Sequence, residues 1–165
     1  MKISDCHVLK ISKYDIANGP GVRVTVWVSG CSHHCEGCHN PETWKWNQGK
    51  PLDKYLIEDI VEACNKPYIA GLTISGGDPL FPKNREGVFA LCSRFKEKYG
   101  KSKTIWIWTG YTLQEVEDDL ILDYIDTLVD GKYIEALKDV SRPYTGSSNQ
   151  RVIHFVRWGL SKENQ

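Results

Sequence analysis

Apolar and polar positions follow two rhythms along this chain. Residues 22–29, VRVTVWVS, are β-branched and apolar and predict a strand. In LDKYLIEDIVEACNK, residues 52–66, Leu56, Ile57, Ile60, Val61 and Cys64 fall on one helical stripe. Asp53 stands where a cap for that helix belongs. GLTISGGDP, residues 71–79, is a short strand ending in a glycine pair. Residues 84–99 return to helical spacing, with Val88, Phe89, Leu91, Cys92, Phe95 and Tyr99 on the stripe. KTIWIWTGY, residues 103–111, is apolar on both faces: Ile105 and Ile107 on one, Trp106 and Trp108 on the other. That suits a strand buried inside a parallel sheet. TLQE, residues 112–115, has the capping-box pattern and opens a third helix. IDTLVDGKY, residues 125–133, reads as a fourth strand. RVIHFVRW, residues 151–158, reads as a last one, after the loop SRPYTGSSNQ.

Strand and helix thus alternate, which predicts an α/β fold with a mainly parallel sheet. The unusual residues fall after the strands. A cysteine loop follows the first, GGDP the second, TGY the third and DGK the fourth. In parallel α/β folds these C-terminal strand ends share one rim, and ligands bind there.

Composition narrows the partners. The chain has 165 residues, enough for one domain spanning 1–165 with a real core. It carries 21 basic and 21 acidic side chains, so there is no electrostatic footprint for nucleic acid or an anionic membrane. The first fifteen residues lack the apolar stretch of a signal peptide, and no run is long and apolar enough to span a bilayer. The expected compartment is a reducing cytoplasm, where a cysteine cluster points to metal or catalysis before disulfides.

The chemistry concentrates in SGCSHHCEGCHNPETW, residues 29–44. Cys31, Cys35 and Cys38 stand at C-x3-C-x2-C spacing. Disulfides would leave one thiol over. Zinc is one reading, with His33, His34 or His39 completing a tetrahedral site. The other is a [4Fe–4S] cluster, which normally takes four thiolates; with three, one iron keeps an open coordination site. Cys64 and Cys92, on apolar helix stripes, read as small buried hydrophobes. Cys6 stands alone near the N-terminus, so a second cluster is not expected.

In that position, after the first strand of a parallel α/β domain, the cysteine motif resembles the signature of the radical S-adenosylmethionine (SAM) enzymes. NGPGVR (18–23), GCHNPETW (37–44), LTISGGDPL (72–80), WIWTGY (106–111), VDGKY (129–133) and GSSNQR (146–151) together resemble the activating enzymes of anaerobic ribonucleotide reductases. These are glycyl-radical-enzyme activases, and the likeness runs from about residue 14 to about residue 155. The resemblance implies an open, partial (β/α) barrel of the radical SAM type. It implies a [4Fe–4S] cluster on Cys31, Cys35 and Cys38, with SAM chelating the open iron. A reduced cluster would cleave SAM to methionine and a 5′-deoxyadenosyl radical. That radical would take a hydrogen atom from a glycine of the large subunit of the anaerobic ribonucleotide reductase. A one-electron donor such as flavodoxin would supply the electron. No catalytic residue beyond the cluster and the SAM site is implied.

The resemblance also implies cofactor contacts. Gly76, Gly77 and Asp78 would meet the SAM amino group. Gly37, Cys38 and His39 would lie under the adenine, since glycine stands where many relatives carry an aromatic residue. Asn40 matches a cofactor-contacting position in the pyruvate formate-lyase activases. Asp130 and Lys132 would contact the methionine end or the ribose, and Thr109 would line the site. Arg23 is a further candidate. Trp106 and Trp108 are expected in the core. GSSNQR is expected near the cofactor or the partner surface.

Length bears on the substrate. A βα unit takes about 30 residues, so roughly five fit, too few for a closed eight-stranded barrel. An open mouth suits a protein substrate that supplies its own cover. The competing readings are an activase of another glycyl radical enzyme (pyruvate formate-lyase type), a small-molecule enzyme of the 7-carboxy-7-deazaguanine synthase type, and a zinc or iron–sulfur binding module without catalysis.

Overall fold

The computed structural model describes residues 5–31, 33 and 45–155. Strand β1 spans His7–Asp15 and β2 Val22–Val28. After the cysteine loop come β3 (Lys50–Pro51), α1 (Lys54–Ala63), β4 (Ile69–Gly76) and α2 (Pro82–Tyr99). Then follow β5 (Thr104–Trp108), α3 (Leu113–Val116), β6 (Thr127–Asp130) and β7 (Arg151–His154). One sheet has the order β3-β1-β2-β4-β5-β6-β7. Its four central strands, β2, β4, β5 and β6, run parallel, and the outer strands are antiparallel to their neighbours. The sheet is open, as expected for a partial barrel.

The local signals act as their chemistry requires. The Asp53 carboxylate accepts from the Leu56 N–H at 2.9 Å and starts α1. Pro82 opens α2 where its missing N–H does no harm, and Gly100, at φ +54°, ends it. Thr112 and Glu115 form the reciprocal capping box. The third helix is nevertheless only one turn long. Asp119 takes an extended backbone, and its side chain accepts from the Ile121 N–H at 3.0 Å, opening a 3-10 turn over Leu120–Asp123. A side chain that bonds its own neighbours competes with helix continuation.

Two further elements depart from the sequence reading. β1 is a nine-residue strand that periodicity does not reveal, because it alternates poorly, is largely half exposed and carries register shifts against β2. β7 pairs antiparallel with β6, with Leu128 opposite Ile153, so the last connection is a long loop and not a helical crossover.

Both long helices cover one face of the sheet. Ile57, Ile60 and Val61 of α1 and Val88, Leu91, Cys92 and Phe95 of α2 pack with Val24, Val26, Val28, Leu72, Ile74, Ile105, Ile107 and Leu128. Burying each such side chain stabilises the fold by about 1.5–3 kcal/mol before entropy is counted. Cys6 and Cys64 lie in this core, and burial pushes both thiols up to about 12. Cys92 is fully buried and shifted the same way.

The opposite face carries a buried polar network. Arg23 is fully buried there. Its Nε donates to Thr73 Oγ1 at 2.8 Å, and its other nitrogens donate to the carbonyls of Pro20, Leu72 and Thr104. Thr73 donates onward to the Asn18 carbonyl at 2.7 Å, and Thr25 to Asp15 at 2.6 Å. The turn between β1 and β2 is thereby tied across this face. Arg23 does not reach the cavity described below.

Candidate functional site

The C-terminal ends of the parallel strands do meet at one rim. The Gly77 N–H donates to the Val28 carbonyl at 2.8 Å, and the Asp78 N–H to the Gly30 carbonyl at 2.7 Å. The turn after β4 therefore lies against the exit of β2, where Cys31 stands. Only glycine fits at Gly76: φ is +112°, and a Cβ would come within 2.4 Å of the Val28 carbonyl oxygen. The Thr109 N–H donates to Val129 O, and the Gly131 N–H to Tyr111 O, each at 2.9 Å. These bonds bring the ends of β5 and β6 alongside.

Asp78 is the knot of this rim and is fully buried. Its Oδ1 accepts from the Leu80 N–H at 2.9 Å and from the Thr109 hydroxyl at 2.7 Å. Its Oδ2 accepts from the Gly110 N–H at 2.9 Å and lies 2.8 Å from His33 Nε2. Its carbonyl accepts from Asn84 Nδ2, which also donates to Ser29 O. One carboxylate thus joins the cysteine loop, the turn after β4 and the turn after β5.

Beside this knot a cavity of about 390 Å3 opens on the polar face of the sheet. Cys31, Gly76, Gly77, Asp78, Thr109 and Gly131 line one side. Asn18, Trp108, Tyr144, Thr145, Gly146 and Gln150 line the other. Its volume lies in the range that takes a small molecule. Trp108, expected in the core, is instead part of this wall, with its Nε1–H donating to Tyr144 O at 2.9 Å; Trp106 is buried as expected. Gln150 ties the GSSNQR segment to the rim by donating to Gly131 O and accepting from the Gly146 and Ser147 N–H groups.

Asp130 and Lys132 stand apart from that cavity. Asp130 is buried, its carboxylate held by the Arg151 guanidinium at 2.5 and 3.1 Å and by the Leu113 N–H at 2.8 Å. Both residues line a neighbouring groove that shares His33, Gly110 and Gly131 with the cavity. Cys35, Cys38, Gly37, His39 and Asn40 lie outside the described residues.

Sequence reasoning assigned no site role to Asn18, Tyr144 or Thr145. Tyr144 did leave a signal, an aromatic residue between Pro143 and Gly146 in a polar loop; the structure adds that it is held at φ +67°. Non-glycine residues held there cluster at functional sites.

The residues present fit a metal group with a polar ligand beside it. Cys31, His33 and Asp78 bring one donor atom each within 4.8 Å of one another. The Gly76–Gly77 wall exposes backbone without side chains. The buried Thr145 hydroxyl has no hydrogen-bond partner. An unsatisfied buried hydroxyl on a cavity wall calls for a polar ligand.

An open, centrally parallel sheet with Cys31 at its C-terminal rim is an α/β frame suited to an iron–sulfur protein. In agreement, residues 17–153 match the family described as a 4Fe-4S single cluster domain. Over 147 residues the chain is 44% identical to the anaerobic ribonucleoside-triphosphate reductase-activating protein of Escherichia coli K12, covering 87% of this chain and 94% of that one. The protein of the same name from enterobacteria phage T4 is 41% identical over 143 residues, covering 87% and 90%. That from Vibrio cholerae is 44% identical over 146 residues, covering 86% and 94%. The chain belongs to the family of anaerobic ribonucleoside-triphosphate reductase-activating proteins, enzymes of the radical SAM activase type. No helix among the described residues is long and apolar enough to cross a membrane.

Proposed function

We propose that this protein, as one domain over 1–165, binds a [4Fe–4S] cluster through Cys31, Cys35 and Cys38, binds SAM beside it, and installs a glycyl radical on an anaerobic ribonucleotide reductase. The observation that carries the reading is the single cavity in which Cys31, the bare Gly76–Gly77 backbone and Thr109 meet on the rim. When bound, the cluster and SAM together supply a one-electron cleavage that delivers a carbon-centred radical able to take a hydrogen atom from a glycine Cα.

The chain's own residues bind and orient. Cys31 presents its thiol at the cavity from the end of β2. Gly76 and Gly77 let backbone approach the methionine end closely. The Asp78 carboxylate already receives four donors, so its main effect is to fix the turn. Thr145 offers its hydroxyl to the ligand. Trp108 and Tyr144 wall the cavity against water, which limits side reactions of a radical. Gly37, Cys38, His39 and Asn40 are proposed under the adenosyl group. Lys132 is proposed at the groove beside it, with Asp130 acting through Arg151. The open mouth suits a protein substrate, a flavodoxin-type donor suits the one-electron demand, and the cytoplasm suits the thiols.

Low-temperature electron paramagnetic resonance of the anaerobically reconstituted, reduced protein tests this. A cluster signal that changes shape on adding SAM is expected. A protein that holds zinc and no reducible cluster would overturn the reading.

A further inference from the structure

His33 has a seat built for an imidazole. Its Nε2 lies 2.8 Å from Asp78 Oδ2, and its side chain is only 13% exposed. Its ring meets Tyr111 edge-on, centroids 4.6 Å apart at 70°. Tyr111 in turn carries the Arg85 guanidinium 5.3 Å from its ring centre. Gly110 leaves the space: a Cβ there would come within 2.5 Å of the imidazole Cδ2. Two separate segments, the turns after β4 and β5, therefore converge on a histidine two residues after Cys31. The proposed reaction needs no imidazole at this point. Asp78 needs one: against a carboxylate the Nε2–H is a donor, and it fills the last acceptor position of a fully buried group. A buried acceptor left unmade costs more than an ordinary hydrogen bond gains.

We infer that His33 is a positioning residue: it latches the start of the cysteine loop onto the turns after β4 and β5 through Asp78 and Tyr111, holding Cys31 at the cavity before any cofactor arrives. The inference rests on the reading of Cys31, Cys35 and Cys38 as one ligand set.

The test uses the full, cluster-free, reduced chain. Each cysteine is labelled with iodoacetamide, and its rate is read by peptide mass mapping. Buried Cys6, Cys64 and Cys92 report whether the fold is intact. In His33→Ala, labelling of Cys31 is expected to rise about tenfold, the factor matching one hydrogen bond to a charged group, while the buried three stay slow. His33→Gln, whose amide can donate to Asp78, should return the rate toward the parent. Gly110→Ala should raise it with His33 still present, by pushing the imidazole from its seat. An unchanged Cys31 rate in His33→Ala, or equal rates in the alanine and glutamine variants, overturns the latch. If His33→Ala also exposes the buried three, the glutamine and Gly110→Ala variants decide. A parent that shows no SAM-dependent resonance change brings down the proposed function instead, and the labelling contrast still decides the latch.

Discussion

Val26, Ile74, Ile107 and Leu128 stand side by side across the sheet on its helix-covered face. One residue earlier in each strand, Thr25, Thr73, Trp106 and Thr127 stand side by side on the other face, followed by His154. The first row is held by burial, which has no direction and accepts any side chain of the right volume. The second is held by named partners: Thr25 by Asp15, Thr73 by Arg23 and Asn18, and Thr127 by His154, at 2.8 Å or less. One face supplies cohesion. The other positions the loops that wall the cavity, and its bonds fail one at a time.

Four substitutions break or sharpen that contrast. Cys31→Ala, at the rim of the polar face, is expected to reduce bound iron and sulfide to background and abolish SAM cleavage, with the thermal midpoint of the cluster-free chain nearly unchanged. Metal analysis and calorimetry together check it. Ile74→Ala, on the covered face, should do the reverse. It should cost about 2–5 kcal/mol by urea midpoint, while the folded fraction still loads its cluster. Arg23→Met keeps volume but strands Thr73 and the Leu72 and Thr104 carbonyls. A loss of about 3 kcal/mol is expected, and a cost below that of Ile74→Val would show that the polar face does not depend on its bonds. Asp15→Asn gives the smallest effect. Burial pushes the Asp15 carboxyl up, but hydrogen bonds from Thr25, Asn18 and the Ala17 N–H outweigh it and hold it below its usual value. Its contribution is present at neutral pH and is lost as pH falls through that lowered value. The stability gap between parent and variant should therefore close below about pH 4 in urea titrations.

The covered face could be read from the sequence because its logic is local. Ile57, Ile60 and Val61, or Val88, Leu91 and Phe95, declare a helix within a few residues, as do the Asp53 cap and the Thr112–Glu115 box. The rim was legible too, since cysteines follow the first parallel strand and glycines follow each of the other three. The polar face was not. Arg23 and Thr104 are 81 residues apart, and Asp130 and Arg151 21 apart. Nothing in the local pattern pairs them. Asp130 thus appeared available to a ligand, when Arg151 already occupies it. His33 appeared only as one of three histidines near the thiols, because its seat is made by Asp78, Gly110 and Tyr111. β1 escaped notice for a related reason: its half-exposed positions blur the period of two.

The sheet's two borders carry a consequence of their own. At one side the outermost strand is only Lys50–Pro51, both exposed, and Pro51 has no N–H to offer. At the other it is four residues long, with Arg151 and His154 exposed. Borders this short give a foreign strand little to template on. Among the described residues the sheet can thus stay unclosed without inviting the edge-to-edge polymerisation that threatens an unfinished one.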